Sequence, residues 1–255
     1  MQAVQRMKNF KWKTAWIIGG SSGMGREAVK ILDEGYVETY VSARSETPLD
    51  ELCSQGKNTK KILLDVTDQS SVQNEIDRLV KRLGRLPDLI VINAAIYKPM
   101  NSDTLNSTEI RKIVDVNYLG VVHVMEALLK YSNCTEKCTV ATVTSPSGWR
   151  GLPNSAGYGP TKAAAINLIE GLKSELQNSN MDLRLVNPGF IRTRLTELND
   201  FKMPQLMEPD IAAQKMLDGL HGNKFDITFP NPFLFYLKIM RILPYKFYFW
   251  FTKRL

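Results

Sequence analysis

Two side chains past the middle of the chain, Tyr158 and Lys162, stand four residues apart. If a helix opens after Asn154, this spacing places both side chains on one face, one turn apart. A lysine ammonium beside a tyrosine hydroxyl favours the phenolate, so a group with an ordinary pKa of about 10 is expected to exchange protons near neutral pH. Ser145 ends an apolar run that predicts a buried strand, which would direct its hydroxyl to the same point. Together these side chains could protonate or deprotonate an oxygen on carbon while another group moves a hydride.

A glycine-rich turn near the start of the chain could hold the partner for such chemistry. Thr14 to Ile18 is a short apolar run, the sequence GGSSGMG follows it, and a helical pattern of apolar residues begins at Gly25. Strand, glycine turn and helix in this order predict a dinucleotide-binding loop. In that loop Gly19 would form the tight turn, Gly23 would let the backbone approach a pyrophosphate, and Gly25 would allow close helix packing.

These motifs carry a resemblance to a known family. A Tyr-x3-Lys pair alone is common on helices by chance. In its company, the sequence resembles the short-chain dehydrogenase/reductase family over nearly its whole length. The resemblance implies an α/β protein with a doubly wound Rossmann fold, in which helices flank a mostly parallel sheet of about seven strands. The matching pieces, in the family's order and near its spacings, are Gly19-x3-Gly23-x-Gly25, Asn93-Ala94, Asn117, Ser145, Tyr158-x3-Lys162 and Pro188-Gly189 with Thr193.

The resemblance also implies a role for each motif residue. Tyr158 would give or take the proton, Ser145 would hold the substrate oxygen, and Lys162 would lower the pKa of the tyrosine and bind the nicotinamide ribose. Asn117 would kink a long helix, predicted from Asn106 toward Tyr131, and hold a water that relays protons. The residues expected to contact the cofactor are Gly19, Ser21, Ser22, Gly23, Met24, Gly25, Arg44, Asp65, Val66, Asn93, Ala94, Ala95, Tyr158, Lys162, Pro188, Gly189, Ile191 and Thr193.

The end of the second predicted strand bears on the choice of cofactor. An enzyme that prefers NAD would carry an acid there to bond the ribose 2′-hydroxyl, whereas this chain has Ala43 followed by Arg44. A guanidinium suits a 2′-phosphate, so we predict NADP(H). The alternative is that Arg44 is only a solvated loop charge. Two departures from the family pattern are Ile18, where threonine is usual, and Ala95, where glycine is common.

The residues expected around the substrate are mostly apolar. They predict a lipophilic ketone or alcohol, although each of them could equally be ordinary packing. The segment from Arg194 to Met207 has no strong periodicity and is predicted to be a mobile lid. The expected substrate residues are Tyr97, Pro146, Trp149, Leu152, Phe190 and Leu195.

Composition fits one dinucleotide-binding and catalytic domain over residues 1–255. The first 14 residues include four bases but no apolar stretch typical of a signal peptide, and nowhere do about 18 apolar residues run together. Three cysteines match no zinc spacing and both histidines are isolated, so we expect no metal. The prediction is therefore a cytoplasmic NADP-dependent reductase that forms a homodimer or homotetramer and binds no nucleic acid. The alternatives are a catalytically idle dinucleotide sensor or a membrane-associated scaffold.

The last segment, from Phe229 to Leu255, has an unusual composition. It holds ten of the 23 aromatic residues of the chain, five bases and no acid. Pro244 divides it into two pieces, each too short to span a bilayer. Two interpretations remain open. The segment packs over the pocket or in an oligomer interface, or it attaches peripherally to anionic lipid and brings the protein to a dissolved substrate.

Overall fold

A computed structural model describes residues 10–133, 135–201 and 203–253 of the chain. Predictions that involve the first nine residues, Cys134, Lys202, Arg254 or Leu255 lie outside the described residues. The strands are β1 (Thr14–Ile18), β2 (Glu38–Ala43), β3 (Thr59–Leu63), β4 (Leu89–Ile92), β5 (Cys138–Val143), β6 (Met181–Pro188) and β7 (Asp226–Phe229). The helices are α1 (Gly23–Glu34), α2 (Thr47–Gln55), α3 (Gln69–Leu83), α4 (Ser107–Val114), α5 (Gly120–Leu129), α6 (Tyr158–Glu175), α7 (Pro209–His221), α8 (Asn231–Ile242) and α9 (Tyr245–Thr252).

The seven strands form one parallel sheet in the order β3-β2-β1-β4-β5-β6-β7. The chain moves outward from β1 through β2 to β3, then returns to the other side of β1 at β4. In such a sheet the crevice at the carboxyl ends of β1 and β4 is the usual ligand site. The predicted doubly wound Rossmann fold is confirmed, and the sheet is wholly rather than mostly parallel.

Apolar layers cover both faces of the sheet. Successive side chains of a strand point to opposite faces, so Ala15 and Ile17 of β1 join one layer while Trp16 and Ile18 join the other. The first layer packs against α1, α2 and α7, and the second against α3, α5 and α6. All five residues of β1 are buried, as expected for a central strand with helices on both faces.

The helix predicted from Asn106 toward Tyr131 is not continuous. Asn106 does cap α4, since its Oδ1 accepts a hydrogen bond from the Glu109 backbone N–H at 3.0 Å. After α4, however, residues 115–119 form a π-helical turn, and the α-helical pattern resumes as α5. A π turn of this kind is a frequent feature of functional sites, and here it contains Asn117.

The segment predicted to be a lid, between Arg194 and Met207, contains one 3-10 turn over Thr196–Leu198. An isolated bridge between Ile191 and Met207 closes the base of this segment. Farther along, Pro244 separates α8 from α9, as the sequence predicts. Among the described residues, no helix is both long enough and apolar enough to cross a bilayer.

Candidate active site

Gly19 and Gly23 allow the backbone turn between β1 and α1. Both have a positive φ, +85° at Gly19 and +55° at Gly23, in the region that glycine adopts most readily. A Cβ on Gly19 would lie 2.5 Å from backbone atoms of Ala94, and one on Gly23 would lie 2.8 Å from the Thr193 side chain. The loop is therefore pressed between the ends of β4 and β6, where only glycine fits.

Asn93 supports this loop from below. Its Nδ2 donates a hydrogen bond to the Gly19 carbonyl at 2.7 Å. A Cβ on Gly25 would lie 2.7 Å from the same nitrogen, so the third glycine of the motif allows α1 to pack closely, as predicted. The side chain of Asn93 thus fixes the loop. Asn93 also lines the cavity that is described next.

A cavity of about 420 Å³ opens at the carboxyl ends of β1 and β4. Every predicted cofactor residue lines it except Gly25, which lies beneath the loop as described. Arg44 lies on the rim and is exposed. One carboxylate oxygen of Asp65 accepts two hydrogen bonds from Thr67, one from its backbone N–H at 2.9 Å and one from its side-chain hydroxyl at 2.8 Å. The structure therefore places the glycine loop, Arg44, Asp65 and the predicted Ser-Tyr-Lys set around one space.

Ser145 follows β5 and begins a short 3-10 turn over Pro146–Gly148. Its Oγ accepts hydrogen bonds from the Ser147 backbone N–H at 3.3 Å and from the Ser147 hydroxyl at 3.0 Å. The Ser145 oxygen is thus held in place by two donors, and its hydroxyl also hydrogen-bonds the Tyr158 phenol. Ser147 was not predicted from the sequence, although a Ser-Pro-Ser string at a strand end is typical of a capped turn.

Tyr158 and Lys162 lie one turn apart at the start of α6, as the spacing predicts. Lys162 is almost fully buried and Tyr158 is partly buried, and both line the cavity with Ser145. The Lys162 Nζ donates to the Val143 carbonyl at 2.9 Å and lies 5.5 Å from the centroid of the Tyr158 ring. Lys162 therefore joins α6 to the end of β5, two residues before Ser145.

Burial dominates the electrostatic setting of Tyr158. Burial raises the pKa of its phenol well above the usual value, Tyr97 adds to this rise, and a hydrogen bond with Ser145 opposes it. Burial also lowers the pKa of Lys162 to about 8. Lys162 is not among the causes of the shift in the tyrosine pKa, since its ammonium is directed at the Val143 carbonyl. The predicted lowering of the tyrosine pKa by Lys162 therefore stays a prediction.

Asn117 is fully buried in the π turn and is not among the residues that line the cavity. Its Oδ1 accepts from the Ile96 N–H at 2.8 Å and its Nδ2 donates to the Ile96 carbonyl at 2.9 Å. Nδ2 also lies 3.4 Å from the Thr161 hydroxyl on α6. Asn117 therefore joins the π turn to the loop after β4 and to α6. Its predicted role in a water relay stays a prediction.

Four of the six predicted substrate residues line the cavity: Tyr97, Leu152, Phe190 and Leu195. Pro146 and Trp149 do not. Pro146 and Trp149 are three positions apart, and residues three apart in a 3-10 turn lie on the same side. That side of the turn faces away from the cavity. Trp149 instead packs against the second apolar layer, with the Lys238 ammonium 5.4 Å from its ring centroid.

Arg150, which was not predicted from the sequence either, holds the C-terminal helices. Its Nη1 donates to the carbonyls of Met240 at 2.8 Å and Leu243 at 2.6 Å, at the end of α8. The guanidinium lies 3.9 Å from the ring centroid of Tyr248 on α9. The Tyr248 hydroxyl in turn donates to the Gly151 carbonyl. Arg150 thus connects α8 and α9 to the loop between Ser145 and Tyr158.

Comparisons with known proteins agree with this geometry. A family model described as short chain dehydrogenase matches residues 13–202. An uncharacterized oxidoreductase of Myxococcus xanthus is 29% identical over 242 residues, which are 93% of this chain and 95% of that protein. A short chain dehydrogenase/reductase of Burkholderia phymatum, solved in complex with NAD, superposes with a TM-score of 0.80 at 18% identity over 91% of this chain and 94% of that one. The structure of ElxO with NADP bound superposes with a TM-score of 0.75 at 25% identity, over 85% of this chain and 97% of that one. The chain belongs to the short-chain dehydrogenase family and is an oxidoreductase.

Proposed function

We propose that the chain transfers a hydride reversibly between NADP(H) and the carbonyl or alcohol carbon of a lipophilic substrate, and that it acts chiefly as a ketone reductase. The observation that carries this proposal is that Ser145, Tyr158 and Lys162 line the same cavity as the glycine loop and Arg44. A proton donor, an oxygen-binding hydroxyl and a dinucleotide cradle then face one space, which is the set that carbonyl reduction requires.

The residues of the cavity suit a phosphorylated dinucleotide. The first turn of α1 offers backbone N–H groups to a pyrophosphate, and its glycines leave room for close approach. Arg44 is the first residue after β2, and Ala43 leaves no acid at the strand end to repel a 2′-phosphate. The Burkholderia phymatum structure contains NAD and the ElxO structure contains NADP. The proposed preference for NADP(H) therefore rests on Arg44.

The side chains of the site have separable tasks. Ser145 would turn its hydroxyl proton from the Tyr158 phenol to the substrate oxygen, since Ser147 already occupies its acceptor positions. Tyr158 has a raised pKa and is therefore neutral at physiological pH, the form that donates a proton to an oxygen gaining negative charge. Lys162 fixes the start of α6 against β5 and would bind the ribose. The bound nicotinamide supplies the hydride.

The direction and the substrate class follow from the same features. The reductive direction rests on NADP(H) as the proposed cofactor, and a neutral phenol is the form that gives a proton to the ketone oxygen. Leu152, Phe190 and Leu195 surround the cavity with apolar atoms, and Phe201 adds a further aromatic ring. A pocket of this composition favours a lipophilic ketone over a sugar or a charged acid.

A screen of cofactor oxidation tests the proposal. The purified chain is incubated with NADPH, and separately with NADH, against ketosteroids, long-chain 3-oxo compounds, quinones and aromatic ketones. We expect turnover with NADPH on at least one apolar ketone, and turnover slower by a factor of about 10² or more with Tyr158→Phe. Turnover no faster than that of Tyr158→Phe on every compound would contradict an enzymatic role, and equal rates with NADH would contradict the cofactor preference.

A further inference from the structure

The C-terminal helices expose a concentrated apolar surface. Of the sixteen large apolar side chains exposed in the described part of the chain, nine lie between Phe235 and Phe251. We call these nine the tail surface: Phe235, Tyr236, Ile239, Ile242, Tyr245, Phe247, Phe249, Trp250 and Phe251. Ile242, the last residue of α8, is 80% exposed, and Tyr245, the first residue of α9, is 70% exposed. Exposure of this extent in one short segment marks an interaction site rather than ordinary surface.

The opposite face of the same helices is fixed to the body of the protein. Leu234 of α8 and both Tyr248 and Thr252 of α9 are buried, and Arg150 holds the end of α8. The Lys238 ammonium bonds the Asp226 carboxylate at the start of β7, with 2.7 Å between Nζ and Oδ2. The tail surface is therefore presented outward by two anchored helices.

We infer that the tail surface docks on an anionic lipid bilayer. Residues 227–255 contain no acid, and the exposed bases Arg241, Lys246 and Lys253 lie among the exposed aromatic residues. Aromatic rings bordered by bases are typical of helices that lie in the headgroup region of anionic membranes. A second copy of the chain fits less well, because a twofold interface would place two copies of this base-rich segment against each other, and the segment has no acid.

The helix lengths match attachment at the interface. The 12 residues of α8 and the 8 residues of α9 span about 18 Å and 12 Å, well short of the hydrocarbon thickness of about 30 Å. Pro244 also turns the chain between the two helices. Both helices therefore lie along a membrane surface with their outer side chains in the headgroup layer.

The docked surface continues toward the cavity. Phe201 and Phe190 both line the cavity, and their rings make an edge contact with centroids 5.7 Å apart. Phe190 also lies 5.8 Å from the ring of Phe233 in the first turn of α8. A bilayer against the tail surface would thus lie beside the apolar part of the cavity. The inference about lipid binding goes beyond the proposed reaction and does not depend on it.

Vesicle flotation of the full chain tests lipid binding directly. The vesicles contain either phosphatidylcholine alone or phosphatidylcholine with phosphatidylserine, at low and at high salt. We expect the chain to float with the anionic vesicles, to bind the neutral ones more weakly, and to be released from the anionic ones as salt rises. Failure of the intact chain to float with anionic vesicles would overturn the inference.

Matched variants distinguish binding through the tail surface from nonspecific binding through other exposed apolar residues. Replacing Ile242, Phe247 and Phe249 by serine should lower vesicle binding at least tenfold, whereas the same change at the exposed Leu63, Leu105 and Ile211 should not. Replacing Arg241, Lys246 and Lys253 by glutamine should lower binding to anionic vesicles by about a hundredfold, at about fivefold per base. The control for charge is glutamine at the exposed Lys57, Lys81 and Lys215, which changes the net charge equally.

Two further measurements distinguish a membrane-binding surface from a contact between copies and from the catalytic site. If the serine variant turns a dimer into a monomer by light scattering while flotation is unchanged, the tail surface is a contact between copies and the inference is wrong. NADPH oxidation with a water-soluble ketone, measured without vesicles, should be unchanged in the tail variants. A chain that binds vesicles but turns over no ketone would contradict the proposed function alone.

Discussion

The ring of Tyr97 stands edge-on to the ring of Tyr158, with the centroids 5.1 Å apart and the planes at 83°. The Tyr97 hydroxyl donates to Oδ1 of Asn199 at 2.7 Å. Asn199 belongs to the segment between β6 and α7 that was predicted to be a lid. One tyrosine therefore joins this segment to Tyr158, the residue that we propose as the proton donor.

Tyr97→Phe isolates the hydroxyl from the ring contact. We expect KM to rise about threefold to tenfold, the range for loss of one hydrogen bond, while kcat stays within about twofold because the edge contact remains. Asn199→Ala should have the same effect, and the double variant should lose little more, since both changes remove one bond. Steady-state kinetics of the three variants decide this; losses that multiply in the double variant would contradict the shared bond.

Tyr158→Phe removes the proposed proton donor and keeps the ring. Turnover should fall by about a factor of 10² or more, because proton transfer from a positioned side chain commonly contributes that much. Binding of NADPH, followed by fluorescence, should be nearly unchanged. Tyr36→Phe, at an exposed position between α1 and β2, is the matched control. Retention of most activity in Tyr158→Phe would remove Tyr158 from the mechanism.

Arg44→Gln tests the choice of cofactor. The charge-assisted contact with a 2′-phosphate should be worth about 1.5–3 kcal/mol, so NADPH affinity should fall between about tenfold and somewhat more than a hundredfold. NADH affinity should hardly change. Isothermal titration with both cofactors measures the difference, with the exposed Arg111→Gln as the control. Equal losses for the two cofactors would mean that Arg44 has only a general electrostatic effect.

Much of the site follows from local sequence because its motifs occupy short, rigid turns. The positive φ at Gly19 and Gly23, the strand ending before Ser145 and the one-turn spacing of Tyr158 and Lys162 are each decided within a few residues. Strand boundaries such as Thr14–Ile18 were also predictable, since a buried parallel strand is a continuous apolar run.

The features that were missed depend on contacts between distant residues. Arg150 reaches carbonyls about 90 positions away, and Ser147 matters only because the 3-10 turn directs it at Ser145. The same turn places Pro146 and Trp149 away from the cavity, which their apolar character could not reveal. The pKa of Tyr158 likewise reflects burial by the whole fold, whereas its spacing from Lys162 indicated only a neighbouring charge.

Lys162→Met should stabilise the fold while abolishing activity. The pKa of Lys162 is about 8 in the folded chain against an ordinary 10.5, so below pH 8 folding requires the burial of a charge. At about 1.4 kcal/mol per pKa unit the cost is on the order of 3 kcal/mol. Loss of the charge-assisted hydrogen bond to Val143 offsets about 1.5 kcal/mol or more of the gain.

The pH dependence distinguishes this effect from better packing. Between pH 8 and 10.5 the unfolded chain still binds the proton and the folded chain does not, so the cost falls as pH rises. The advantage of Lys162→Met in urea unfolding should therefore be largest at pH 6–7 and should shrink toward pH 10. Lys215→Met, at an exposed position, should show no such trend. An advantage that is constant with pH would exclude charge burial as its source.

Arg150→Met should loosen α8 and α9 without unfolding the sheet. Arg150 supplies charged hydrogen bonds to the last turn of α8 and a cation–π contact of 3.9 Å to Tyr248, and the variant has neither. A loss of about 2 kcal/mol should speed amide exchange in Asn231–Thr252 about thirtyfold, while β1 and β4 keep their protection. Arg192→Met, which removes a surface ion pair with Glu208 at 2.8 Å, is the control for loss of a guanidinium. If exchange in α8 and α9 is unchanged in Arg150→Met, the buried contacts of Leu234 and Tyr248 alone hold these helices, and Arg150 has no part in presenting the tail surface.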